Sequence, residues 1–332
     1  METDPTGPTD DDAPPSPVSG QSWIRNLVPW LGALGIFAYL FWEVPFEEAW
    51  LAARDARLDL FVPEVLAAAF FWFLIDSRTL SYLFTRFNTP VSWSEARSIR
   101  GVSYLLTALN WNAGTAGIIV HLRRFKGIPA LESTGSMLFY QYFDGFILVG
   151  LALLGASAFA ESATLETIQR VTGIVFLVQL MIFAILTTSY PSWNWLSKIR
   201  QARIVKPFRS VNWADAVFFL SIKLAYFMVF IWIFWAGSHA FGVEVPFGVV
   251  LASAPAVMMV ATIPIAPAGL GTQAAAMLFF WSEYGEKAEI LAFGLVFPIA
   301  LVLARCLLGL FYLGDLRSTR RSDESSSSLG ED

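Results

Sequence analysis

Apolar positions in this chain come in long continuous runs rather than in alternating or narrow-stripe patterns. A membrane-crossing helix needs about 20 mostly apolar residues, and six stretches qualify: 24–43, 58–76, 134–157, 169–190, 214–241 and 290–313. Two more apolar stretches, 101–120 and 248–282, are interrupted. The first carries Asn110, Asn112, Gly114, Thr115 and Gly117 at its middle, and the second is broken by PIAPAGLG, Pro264 to Gly271. Amides and helix breakers at membrane depth predict interrupted helices.

The distribution of Lys and Arg, which collect in cytoplasmic loops, decides how these stretches are threaded. The loop before 101–120 holds Arg78, Arg86, Arg97 and Arg100, and the loop after it holds Arg123, Arg124 and Lys126. A single crossing would put one basic flank outside, so a hairpin entering and leaving from the cytoplasm is expected. Segment 191–213 (Lys198, Arg200, Arg203, Lys206, Arg209) and the C-terminal segment (Arg317, Arg320, Arg321) are likewise cytoplasmic. The flanks of 248–282 are acidic or uncharged, which predicts a second hairpin entering from outside. In this threading sixteen Lys and Arg lie inside, four lie outside (Arg54, Arg57, Arg170, Lys287) and two lie within spans. The expectation is an all-α polytopic membrane protein with six transmembrane helices, two re-entrant broken-helix hairpins and both termini cytoplasmic. Eight plain spans are the alternative.

Span, hairpin, span then occurs twice with opposite orientation, as in the inverted repeats of secondary transporters. Coincidental hydropathy is the competing explanation, since no clear internal sequence identity accompanies the pattern.

Composition agrees with the runs. Of the 332 residues 56% are hydrophobic and 15% charged, against about 45–50% and 25% in soluble domains. Much of the charge lies in two tails: residues 1–22 hold five acids and no base, and 316–332 hold four acids and three bases. Both tails are expected to be disordered, around one transmembrane domain at 23–315. The N-terminal tail lacks the basic start of a signal peptide. A soluble enzyme, a nucleic-acid binder and a disordered chain are all excluded by this composition. A single cysteine, Cys306, excludes a disulfide framework and a multi-Cys metal site.

Ionisable groups inside a bilayer cost roughly 2.5–3.5 kcal/mol at a helix centre, so Asp144, Lys223 and Arg305 stand out. Counting 1.5 Å per residue, all three sit roughly 12–15 Å from the cytoplasmic face. Asp144 is expected to pair with Lys223 or Arg305, either to fix helix packing or to serve transport. In PIAPAGLGTQ, Pro264 and Pro267 remove backbone donors, Gly269 and Gly271 permit turning, and Thr272 can cap the following helix. That helix would aim its N-terminus, followed by Gln273, into the membrane, an arrangement suited to an anionic headgroup. Asn110, Asn112, Gly114, Thr115 and Gly117 either line a polar cavity or satisfy broken backbone bonds. No catalytic motif, metal site or cofactor site is present, and His121 and His239 fall on opposite faces.

IPIAPAGLGTQAAAMLFF resembles the P-x-S-P-G-G-L-G-x-R-E-A signature of the flippase-like family, the lysylphosphatidylglycerol synthase transmembrane region. LNWNAGTAGIIVHLRRFKGI followed by FYQYFDG is similar to that family's P-G-R-x-G-E turn, basic run and E-R-x-x-D pattern. The resemblance covers residues 24–315. Its turn Arg and Glu are here Thr115 and Ile118, its E-R pair is Tyr140 and Gln141, and its later Arg-Glu is Gln273 and Ala274, while Asp144 is kept. These departures bear on substrate class more than on fold. The resemblance implies movement of a lipid or lipid-linked headgroup between leaflets of the plasma membrane. Synthase activity is not expected, because no stretch here would form the soluble transferase domain. The partners expected are membrane lipids, anionic or lipid-linked, and no nucleic acid. The alternative is a membrane scaffold that presents a lipid to a separate membrane enzyme.

Overall fold

A computed structural model describes residues 34–109, 111–158, 163–188, 193–261 and 271–328, and among these there are helices and no strands. The helices are α1 (Leu34–Glu43), then α2 (Phe46–Asp55), α3 (Leu58–Phe87), α4 (Trp93–Leu109), α5 (Trp111–Lys126), α6 (Ala130–Ala158) and α7 (Ala163–Thr187). They continue as α8 (Asn194–Gln201), α9 (Lys206–Ser210), α10 (Trp213–Ala240), α11 (Phe247–Ala261), α12 (Thr272–Trp281) and α13 (Lys287–Ser328). Among the described residues five stretches are long and apolar enough to cross a membrane: Leu58–Phe87, Ala130–Ala158, Gln169–Thr187, Trp213–Ala240 and Lys287–Leu313. The sixth expected span, 24–43, is described only from Leu34 onward, as the apolar α1.

Local chemistry sets the boundaries. Asn212 and Asp215 form a capping box at the start of α10: the Asn212 side chain accepts from the Asp215 N–H at 2.8 Å, and the Asp215 carboxylate accepts from the Asn212 N–H at 2.9 Å. Gly127, at φ 64°, ends α5 in the left-handed conformation that favours glycine, and Pro129 leads directly into α6. One expected boundary is wrong. The span placed at 58–76 continues to Phe87, and α4 begins at Trp93 rather than near 101. Leu80, Leu83, Phe84 and Phe87 keep the helix buried beyond Asp76, so neither Asp76 nor Arg100 lies in a loop.

α3 and α10 run antiparallel along their whole length. At one end the Arg57 N–H donates to Ala240 O at 2.8 Å. At the other, Arg86 pairs with Asp215 at 3.0 Å and the Tyr82 hydroxyl donates to the same carboxylate at 2.7 Å. The α4–α5 hairpin starts and finishes at the Arg86 end, where Lys126 at the close of α5 pairs with Glu95 in the first turn of α4 at 2.9 Å. The α11–α12 hairpin starts and finishes at the opposite end, where the Glu244 N–H donates to Tyr284 O at 3.1 Å. The two hairpins therefore open in opposite directions.

The helix pairings are unchanged when the two halves are exchanged, α3 for α10, α4 for α11, α5 for α12 and α6 for α13. Thus α4 packs on α13 as α11 packs on α6, α5 packs on α6 as α12 packs on α13, and α3 packs on α13 as α10 packs on α6. α3 and α10, α4 and α11, and α6 and α13 begin 155, 154 and 157 residues apart. The cross-packing is close at equivalent glycines. A Cβ on Gly155 of α6 would lie 2.4 Å from Ala252 Cα of α11, and one on Gly309 of α13 would lie 2.8 Å from Gly101 O of α4. Small residues let helix backbones approach in this way inside a membrane.

α7 is the least buried of the spans. Past it, Trp193 and Trp195 stack at 5.9 Å and, with Trp213, stay exposed at the Arg86 end, as interfacial aromatic residues do.

Candidate functional site

Five helices from both halves meet around a buried cluster of charges. Lys223 of α10, with a side chain only 1% exposed, pairs with Asp144 of α6 at 2.6 Å. Its ammonium lies 3.1 Å from the centre of the Tyr140 ring and 5.4 Å from that of Tyr226, so a carboxylate and two aromatic faces surround it. Of the two partners anticipated for Asp144, the ion pair forms with Lys223.

Beside this pair lies a second one. Asp76 of α3 receives Arg100 of α4 through Nε at 3.1 Å and Nη2 at 2.6 Å, together with the Tyr104 hydroxyl at 3.2 Å and the Tyr140 hydroxyl at 2.5 Å. Both oxygens of this buried carboxylate are satisfied, which is the condition for holding an ion pair away from water. Tyr140 joins the two pairs: its hydroxyl binds Asp76 and its ring faces Lys223.

Arg305 of α13 completes the cluster from the other side. Its guanidinium lies 5.8 Å from the Trp72 ring and 5.5 Å from the Tyr104 ring, and Arg100 is 5.0 Å from the same Tyr104 ring. Trp72 is fixed in turn by donating its indole N–H to Tyr226 O at 3.0 Å. Sequence reasoning placed Asp144, Lys223 and Arg305 at one depth, and the structure gathers them. It missed Asp76 and Arg100, and it noted Tyr140 only as a departure from a motif. The signal for Asp76 was the apolar periodicity that continues past it.

The remaining expected residues divide differently. Asn110, Pro264, Pro267 and Gly269 lie outside the described residues. Asn112 is exposed, near the start of α5. A Cβ on Gly114 would lie 2.1 Å from Thr107 Oγ1, and one on Gly117 would lie 2.4 Å from a Leu106 methyl. These two glycines therefore let the arms of the first hairpin touch, and the half-buried Thr115 sits between them. At the second hairpin, Gly271 at φ 87° precedes α12, and Thr272 and Gln273 are buried in its first turn. The Gln273 amide nitrogen has no hydrogen-bond partner among the described residues. His121 and His239 lie at opposite ends, against Phe125 and Trp235 respectively.

A family model described as the lysylphosphatidylglycerol synthase TM region matches residues 26–309, nearly the whole helical assembly. The chain belongs to this family. As a lysylphosphatidylglycerol synthase TM-region protein it is a membrane-embedded, multi-pass protein, and a soluble synthase domain is not seen in this chain. No curated protein and no solved structure matches it.

Proposed function

We propose that this protein moves a lipid or lipid-linked headgroup between the leaflets of the plasma membrane. In this reading the expected span at 24–43 and α3, α6, α7, α10 and α13 cross the bilayer, with the Arg86 end and both termini cytoplasmic. The two hairpins re-enter from opposite faces. Their arms have 17, 16, 15 and 10 residues, and at 1.5 Å per residue each falls short of a hydrocarbon core about 30 Å thick.

One observation carries the reading: the buried charges come from both halves. Lys223 belongs to the second half, and its partner Asp144 to the first. Any movement of one half against the other must break or re-form that pair. In a medium where a stranded charge is costly, the pair ties the position of the halves to whatever occupies the space between them. Oppositely opening hairpins in an inverted repeat are the arrangement on which alternating access is built. The headgroup would pass between the hairpin turns, with Asn112 and Thr115 on one side and Gly271, Thr272 and Gln273 on the other.

The test is leaflet exchange of labelled lipids in proteoliposomes of native lipid extract. Wild type should exchange. Asp144→Asn, Lys223→Met and Gly271→Leu should not, while still assembling. The exchanged pair Asp144→Lys with Lys223→Asp should recover part of the rate. Equal exchange by all variants, or none by wild type with any native headgroup, would overturn the proposal.

A further inference from the structure

The buried cluster is not neutral. Asp76 and Asp144 contribute two negative charges, and Arg100, Lys223 and Arg305 contribute three positive ones. Asp76 is occupied by Arg100, Tyr104 and Tyr140, and Asp144 by Lys223. Arg305 has no ion-pair partner among the described residues, and its buried Nε has no hydrogen-bond partner. Its guanidinium lies 5.8 Å from the Trp72 ring and 5.5 Å from the Tyr104 ring. Arg305 is half-buried, and a cation without a counterion at membrane depth is expensive to hold. The site as built is one negative charge short.

We infer that Arg305 is the anchor for a phosphate group carrying a single negative charge, held against Trp72 and Tyr104. This rests on the translocation reading and names the chemistry that the site would recognise. A phosphodiester has the required charge of −1, and a guanidinium offers planar, forked donors that fit phosphate oxygens better than a lysine ammonium does. The two rings provide an apolar wall for the carbon atoms next to the phosphate. A lipid headgroup and a free phosphate ester both present this chemistry.

The full chain, purified in detergent, would be titrated with dioctanoylphosphatidylglycerol, dioctanoylglycerol or inorganic phosphate while its thermal midpoint is followed, since a ligand that binds only the folded state raises it. Wild type should be stabilised by dioctanoylphosphatidylglycerol and not by dioctanoylglycerol. Arg305→Gln should bind roughly 10- to 100-fold more weakly, the loss expected for a charge-assisted hydrogen bond. Arg305→Lys should fall between them and also serves as a variant that keeps the charge if the glutamine form folds poorly. Stabilisation by inorganic phosphate at similar concentration would support the anion site and assign it to free phosphate esters. Three results would overturn the inference: no response in wild type, the same response in Arg305→Gln, or dioctanoylglycerol acting as well as the phospholipid. Leaflet exchange measured in parallel separates the two proposals. Arg305-dependent binding without exchange in wild type would leave the phosphate site and remove translocation. Exchange in wild type with no phospholipid response would do the reverse.

Discussion

The two hairpin regions share a backbone plan and bury opposite kinds of chemistry. Around α4, at the Arg86 end, the interior holds Asp76, Arg100, Tyr104, Tyr140, Asp144 and Lys223. Around α12, towards the other end, it holds Phe61, Phe234, Phe241, Phe293, Phe297 and Trp281, with ring centroids 5.1–6.2 Å apart. There the Trp281 indole donates to Ser253 Oγ at 2.9 Å. Symmetry of packing thus does not carry symmetry of buried chemistry. Packed rings stabilise one arrangement through contact area, whereas charged groups can change partners and hold a position only while every partner is present.

The comparison breaks most completely if the hairpins do not open to opposite faces. In a Cys306→Ser background, cysteines at the exposed positions Ser94 and Glu244 should react with a membrane-impermeant thiol reagent in an all-or-none way. Glu244→Cys should label only from outside, and Ser94→Cys only from the cytoplasmic side. Labelling of both from one face would end the inverted arrangement.

Stability changes come next. Asp76→Asn leaves Arg100 buried without its counterion and should cost about 3–5 kcal/mol in thermal or denaturant unfolding. Adding Arg100→Gln should recover part of that loss, because no unpaired charge then remains. Asp144 and Lys223 should behave unequally. Asp144→Asn strands a side chain that is 1% exposed, whereas Lys223→Met strands one that is 25% exposed. The first should therefore approach the Asp76→Asn cost, and the second should stay near about 1–3 kcal/mol. Equal losses would mean that the pair is not the asymmetric one described. In the aromatic region, Phe297→Leu removes three carbons and the ring contacts from a buried site, should cost about 1–3 kcal/mol, and should leave leaflet exchange intact. Loss of exchange there would erase the distinction between the two regions.

Much of this architecture was legible in the chain, because hydropathy and charge act locally. Spans 134–157 and 214–241 fall within α6 and within one residue of α10, and the basic flanks correctly placed both ends of α4–α5 together. The site was legible only in part. Asp144, Lys223 and Arg305 were visible because each interrupts an apolar run. Asp76 and Arg100 were not, because a charge at the edge of a run reads as the start of a loop. Their mutual neutralisation depends on α3 and α4 lying side by side, 24 residues apart in sequence. Gly114 and Gly117 were ambiguous for the opposite reason: a glycine that lets helices touch and one that admits a ligand are the same letter, and only the 2.1 Å and 2.4 Å approaches separate them.

The smallest effect is expected at the hairpin mouths, and it tests whether the regions differ in their interiors alone. Lys126 and Glu95 close the first hairpin, with side chains 30% and 27% exposed, and Lys287 pairs with Glu43 beside the second, at 54% and 37%. Both pairs sit in high dielectric, where attraction is weak and the entropy of holding two long side chains offsets much of it, so each should contribute little. The less exposed pair should contribute more. A double-mutant cycle with Lys126→Gln and Glu95→Gln should therefore return a small coupling that fades in high salt, and the Lys287 and Glu43 cycle a smaller one still. A coupling of several kcal/mol at either mouth would mean that the hairpins are clamped from the surface. The buried charges would then no longer be what distinguishes the two regions.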